Sequence, residues 1–370
     1  MSEKNMDQND LLQAGLLPED PFEDCEPIET PPAPAGPLDG LALVDLLAGA
    51  CESIRDRAEG KEKPISTPWE SFNKGINGGM WPGLVVLTGN TGTGKTQWAL
   101  QLALKAATDD HPVIYIGLEL DRLGLVARLA SLYLHQERAT YVPRWSSIYL
   151  GKDDAFETLQ KVSSSLAALP LYLYEADPGA WEPRELAELI IAAKDKHPGK
   201  TPLVVVDFLQ IVGGKDDNGR ELELRQKIGQ AAYTGRKLAR EHGATVLLVS
   251  STSREKSKEF SFVDSKGDRN GPEQGLRPEG FVSMGKESGE IEYAADLVLA
   301  LCKESPSHCL GRYPLSYLAI AKQRTGSTGW CKMAFEHGNF FDDKGLVSNE
   351  GQDEHREGGG YDKGLYGGKK

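Results

Sequence analysis

The sequence has few long apolar stretches. No run in its 370 residues approaches the ~18–20 consecutive apolar residues of a membrane-spanning helix. The opening MSEKNMDQND lacks the basic-then-apolar order of a secretory leader. A cytoplasmic location with no membrane association is therefore expected. Cysteine is scarce too: there are five, Cys25, Cys51, Cys302, Cys309 and Cys331. They do not form two close pairs, which argues against a structural zinc site and for free thiols in a reducing compartment. No internal repeat is present. Overall positive charge is also missing. A net charge of −13 suits a nucleic-acid binder poorly, but the acid is concentrated at the ends. Residues 1–40 hold ten acidic groups and one lysine, and residues 341–370 hold seven acidic and five basic groups. The central 300 residues are almost neutral, which leaves room for a local basic channel.

What is present reads as an ordered core between two tails. Residues 1–40 are acidic and include TPPAPAGP (30–37), a composition that predicts a disordered tail. Residues 41–64 read as a linker helix and connector, with Leu43, Leu47 and Ile54 on one stripe. Residues 65–345 alternate strand-like runs with helical patterns. The runs are LVVLTG (84–89), VIYIGLEL (113–120), LPLYLYEA (169–176), PLVVVDFLQIV (202–212), TVLLVSST (245–252), DLVLAL (296–301), LSYLAIA (315–321) and CKMAFEH (331–337). Short, wholly apolar strands separated by helices predict an α/β fold with a mostly parallel sheet covered on both faces. Residues 346–370 are Gly-rich and polar and predict a second disordered tail.

GNTGTGKT (89–96) matches G-x-x-x-x-G-K-[ST] between an apolar strand and a helix, the context that gives the motif meaning. Gly89, Asn90, Thr91, Gly92, Thr93 and Gly94 would wrap their backbone around phosphate. The loop N–H groups and the helix N-terminus supply partial positive charge. Lys95 would reach the β- and γ-phosphates, and Thr96 would place its hydroxyl on Mg²⁺. Asp207 closes the apolar run PLVVVD, at the carboxyl edge where ligands bind in such sheets, and is the second candidate Mg²⁺ ligand. Glu119 follows the strand after the P-loop helix and is placed to deprotonate an attacking water. It reads equally as a surface acid on spacing alone. Lys322 and Arg324, in LAIAKQRTG (318–326), are two cations at a strand end, which a period of two would put on the same face. Read alone, they would be an ordinary solvated terminus.

Taken together, these segments resemble the RecA-type motor domain of the DnaB family of hexameric replicative helicases, from about residue 41 to 345. GLELDRLGLVARLAS (117–131) is similar to the family's S-L-E-M segment, VVVDFLQIV (204–212) to I-D-Y-L-Q, KESGEIEYAADLVL (286–299) to R-E-S-G-x-I-E-x-x-A-D, and AIAKQRTGSTGWCKMAF (319–335) to the K-x-R-x-G strand. The resemblance implies a RecA-like P-loop NTPase using ATP and Mg²⁺. It implies Glu119 as catalytic base, Asp207 on Mg²⁺, and Lys322 and Arg324 reaching into a neighbouring subunit's site, with Arg324 as the arginine finger. The implied function is a ring-forming helicase or translocase on single-stranded DNA in replication, assembled as a homo-oligomer, expected to be hexameric. The acidic N-terminal tail would have a protein partner of its own.

Three departures keep an alternative open. Only a tail and one helix precede the motor, where replicative members carry a helical domain. Ser251, in LLVSSTSRE (247–255), stands where the family has Gln. The segment 254–286 mixes seven basic with six acidic groups, a weak signal for DNA. The alternative is a RecA-fold ATPase that regulates or remodels a DNA or protein complex without processive unwinding.

Overall fold

A computed structural model describes residues 42–348, apart from 140, 153, 178–180, 215–218, 253–276, 285–287, 304–314 and 337. The tail at 1–40, most of 346–370 and most of the 254–286 segment lie outside the described residues. The chain divides into two units at Lys63/Pro64. In the first, helix α1 (Leu43–Ala58) buries none of its residues.

The second unit carries a nine-stranded sheet. Its strands are β1 (Gly83–Gly89), β2 (Val113–Gly117), β3 (Leu171–Glu175), β4 (Leu203–Asp207), β5 (Thr245–Ser251), β6 (Leu297–Lys303), β7 (Leu315–Gln323), β8 (Gly329–Glu336) and β9 (Asn339–Ser348). Their order is β3-β2-β4-β5-β1-β6-β7-β8-β9. The first six in that order pair in parallel, and β7, β8 and β9 add on antiparallel. The mostly parallel sheet expected from sequence is thus present.

The helices of this unit are α2 (Glu70–Gly75), α3 (Lys95–Thr108), α4 (Arg122–Gln136), α5 (Trp145–Tyr149), α6 (Ala155–Ala167), α7 (Leu186–Lys196), α8 (Leu224–His242) and α9 (Ser288–Ala294). Period-two alternation sends successive strand residues to opposite faces. Leu84, Val86, Ile114, Ile116, Val204 and Val206 pack with α7 and α8 side chains such as Ile190 and Ile228. Val85, Leu87, Val113, Tyr115 and Val205 pack with α3 and α4 side chains such as Trp98 and Leu125. Each wholly buried Val or Leu contributes about 1.5–3 kcal/mol, which is why these strands are apolar on both sides.

Several sequence expectations shift. β2 stops at Gly117 and β4 at Asp207, so Glu119 and Gln210 lie in the connections beyond them. Helices α5 and α6 occupy a stretch where no element was expected. β9 runs through Ser348, past the boundary placed at 345. β7 ends at Gln323, so the two-residue strand period covers Lys322 but not Arg324, which sits in the following bend. Among the described residues Cys51, Cys302 and Cys331 are free thiols, and no helix is long and apolar enough to cross a membrane.

The register defines two edges. Gly89 lies beside Ser251, Val249 beside Asp207, and Asp207 beside Gly117, so the carboxyl ends of β1, β2, β4 and β5 share one edge, here called upper. Gln323 lies beside Leu297 at the start of β6, which places the end of β7 on the lower edge.

Candidate nucleotide site

The upper edge holds the P-loop. Gly92 and Gly94 have φ of 83° and 95°, the left-handed region that favours glycine. A Cβ on Gly94 would also come within 2.9 Å of Phe340 Cζ on β9. Lys95 folds back over the loop, its Nζ donating to the carbonyls of Gly89 and Asn90 at 2.9 Å each. Burial lowers its pKa, while the charges of Asp207 and Glu119 push it back up. The Thr93 hydroxyl donates to the Asn90 carbonyl at 2.9 Å. Thr91 is exposed, and Thr96 hydrogen-bonds Asp207.

Asp207 is 3% exposed at the end of β4. The Tyr115 hydroxyl donates to its Oδ2 at 2.7 Å. Burial pushes the Asp207 carboxyl above its ordinary value, opposed by the hydrogen bonds from Tyr115 and Thr96 and by the charge of Lys95. Burial also raises the Tyr115 phenol well above its usual range, so it remains a donor. Glu119 is exposed two residues past β2, near enough to Lys95 and Asp207 for its charge to act on both. The structure therefore brings Lys95, Thr96, Glu119 and Asp207 together.

Two members of this cluster were not singled out from sequence. Tyr115 reads as one more apolar strand residue, and its hydroxyl acquires meaning only opposite Asp207. Arg128, on α4, reads as a surface cation. Instead its guanidinium lies 3.6 Å from the Trp145 ring centroid and 3.4 Å from Gln97 Oε1. Burial lowers its pKa, opposed by Tyr115, Asp207 and Glu119. Its place in LELDRLGLVARLAS, nine residues after Glu119, was the one available signal.

The end of β5 is tied to the same loop. Thr252 is buried; its hydroxyl hydrogen-bonds Asn90 Oδ1 and its N–H donates to Gly89 O at 3.2 Å. Gln210 spans from β4 to β5, donating to Ser250 Oγ at 2.7 Å and accepting from the Ser251 N–H at 3.0 Å. Ser251 is thus held through its backbone.

Lys322 and Arg324 are not part of this cluster. Arg324 follows β7 on the lower edge, where its N–H donates to Asp296 O at 3.0 Å. Asp296 Oδ2 in turn accepts from Leu84 N–H at 3.0 Å, at the start of β1. β1 is seven residues long, so about 20 Å of strand separates this edge from the P-loop. An arginine side chain does not span that distance.

Comparison with known proteins bears on the family and the fold. Residues 64–341 match the family model described as DnaB-like helicase C terminal domain. A probable replicative DNA helicase of Trieres chinensis is 26% identical over 270 residues, covering 70% of this chain and 53% of that protein. The replicative DNA helicase DnaB of Leifsonia xyli is 26% identical over 313 residues, covering 80% of this chain and 60% of that one. The chain therefore spans only a little over half the length of these curated relatives. A solved DnaB-like replicative helicase, described with its interactions with primase, superposes with a TM-score of 0.59 at 20% identity over 82% of this chain and 67% of its own. At that identity the likeness speaks for the fold. With the family model matched from before β1 to the start of β9, the chain belongs to the DnaB-like helicase C-terminal domain family.

Proposed function

We propose that this chain hydrolyses ATP with Mg²⁺ at subunit interfaces of a homo-oligomeric ring, expected to be hexameric, and uses the energy to move along single-stranded DNA and unwind duplex during replication. The observation that carries this reading is the placement of Arg324 and Lys322 on the sheet edge opposite the P-loop. A finger that cannot reach its own nucleotide can serve a neighbour's, and a closed ring gives every subunit such a neighbour.

The donor set fits Mg²⁺ and a triphosphate. Asp207 is a buried carboxylate whose pKa is raised by desolvation, so a bound cation would favour its ionised form. Among the described residues no three His, Cys, Asp or Glu side chains cluster as a metal cage. Mg²⁺ suits such a site, because it takes one or two carboxylates and fills its shell with water and phosphate oxygens. When bound, it would neutralise charge on the β- and γ-phosphates.

In this mechanism the backbone of Gly89 to Gly94 wraps the phosphates, and Lys95 leaves its carbonyl partners to meet the β- and γ-oxygens. Thr96 and Asp207 would hold the metal. Glu119 orients the attacking water and takes its proton. Tyr115 keeps the Asp207 carboxylate aimed. Lys322 and Arg324 of the adjacent copy would complete the site by stabilising charge on the transferring phosphoryl group. Thr252, bonded to Asn90, would carry the state of the loop into the segment after β5. In this reading the protein works in the cytoplasm, and the acidic residues 1–40 would suit a basic protein partner.

A second reading, an ATPase that remodels a complex without unwinding, is favoured by Ser251, whose short side chain stands where the family has Gln. One experiment separates the two. ATP hydrolysis is measured with and without oligo(dT), alongside displacement of a labelled strand from a fork. Stimulation with strand displacement supports the helicase. Hydrolysis indifferent to DNA, with no displacement, supports the remodelling ATPase.

A further inference from the structure

Asp296 gathers three arginines around one carboxylate on the lower edge. Its Oδ1 faces Arg324 Nε at 3.0 Å, Arg240 Nη2 at 3.6 Å and Arg236 Nη2 at 3.8 Å. Its Oδ2 is fixed by the Leu84 N–H, so the carboxylate is tied to the start of the central strand. Arg324 is held at a further point, since its Nη2 donates to the Tyr293 carbonyl at 3.0 Å.

These contacts fix which way the guanidinium presents. Nε and Nη2 share one edge of the planar group, and Asp296 and Tyr293 occupy that edge. The end-on edge, with Nη1, is the one left to meet an anion from outside, and the side chain is 41% exposed. A lone exposed arginine would sample many rotamers. This one is bonded at two nitrogens, to a carboxylate tied to the start of β1 and to a carbonyl on helix α9.

We propose that Asp296 is a positioning residue for Arg324, holding the guanidinium ready for the phosphate of a nucleotide on the neighbouring subunit. The proposal rests on the trans reading above. The benefit is preorganisation: a finger already aimed needs no reorganisation when the interface closes. Asp296 also compensates Arg236 and Arg240, whose charges would otherwise repel Arg324 from its place.

The test uses the full-length chain carrying Asp296→Asn. Asparagine keeps an oxygen for the Leu84 N–H but loses the charge that holds the guanidinium. The expected result is a fall in kcat of about tenfold, with affinity for a fluorescent ATP analogue changed less than about twofold, because the variant's own P-loop lies on the other edge. In an equal mixture with Lys95→Ala, activity should recover, since some interfaces then pair an intact P-loop with an intact finger. A mixture with Arg324→Ala should not recover, because both variants damage the same face. Wild-type kcat in Asp296→Asn overturns the proposal. So does a defect that Lys95→Ala fails to complement, or one that Arg324→Ala does complement. If Asp296→Asn loses nucleotide binding altogether, Asp296→Glu replaces it. Its carboxylate is displaced by one methylene, so it should show a smaller kcat loss that Lys95→Ala complements, and wild-type kcat there overturns the proposal. Full activity in Arg324→Ala would remove the trans reading itself, whereas an inactive Arg324→Ala beside a wild-type Asp296→Asn removes only the role of Asp296.

Discussion

The Tyr115 hydroxyl and the Asp207 carboxylate, 2.7 Å apart and both buried, join two adjacent parallel strands, and the Asp207 charge acts on the P-loop lysine, Lys95. The pair is built for charge it does not itself supply. Burial raises the Asp207 pKa above its ordinary 3.8, so folding disfavours the charged form relative to the unfolded chain. Its stabilising contribution is complete below the unfolded-state value and is lost as pH rises through the higher folded value. Asp207→Asn stays neutral and still accepts from Tyr115. Its melting temperature, relative to the wild type, should therefore rise between about pH 4.5 and pH 8, while Mg²⁺-dependent hydrolysis disappears. Thermal unfolding at both pH values checks this, and a difference that does not grow with pH counts against it.

Lys95 and Glu119 should fail differently. Lys95→Ala removes the cation that meets the phosphates, so it should weaken binding of a fluorescent ATP analogue and abolish hydrolysis. Glu119→Gln keeps size and polarity and changes only the proton acceptor. It should bind nucleotide like the wild type and lose about 10²–10⁴-fold in turnover. Phosphate release at wild-type rate from Glu119→Gln would show that another group activates the water.

Arg324→Ala and Lys95→Ala should each be nearly inactive alone, since an arginine finger contributes about a thousandfold or more. Mixed, they should regain activity. If subunits fire independently, about a quarter of the interfaces in an equal mixture pair a good P-loop with a good finger. A homogeneous Arg324→Ala preparation with full ATPase activity would mean that KQRTG is no more than a strand end.

Helix α1 carries exposed Leu43, Val44, Leu46, Leu47 and Ile54. An amphipathic stripe of that kind is stable when an apolar surface covers it, and an adjacent copy would provide one in the proposed ring. Removing residues 1–58 should lower the oligomer mass measured by light scattering. An unchanged mass would show that the stripe does not hold copies together.

Local pattern carried much of this protein's chemistry. The spacing of Gly89, Gly94, Lys95 and Thr96 is itself the loop, because phosphate wrapping depends on consecutive backbone groups. Asp207 was legible because an apolar run must end at a sheet edge. Helix α5 was not legible because five residues are too few to show a period, whereas α6 carries a stripe of Leu159, Val162 and Leu166 against α4 that was overlooked. β9 was missed because its polar half, DDKG, hides a strand held by pairing with β8.

Sequence alone thus determined the nucleotide loop, the strand-and-helix alternation and the candidate acids, all of which depend on residues within one turn or one strand of each other. Tertiary structure decided what meets what. Tyr115 finds Asp207 across 92 residues of chain. Asp296 collects Arg236, Arg240 and Arg324 from three separate segments. Reversal of direction at β7 sends Arg324 away from its own P-loop. These relations follow from strand order and register, which are set by how both faces of the sheet are covered and leave no periodic trace in the chain.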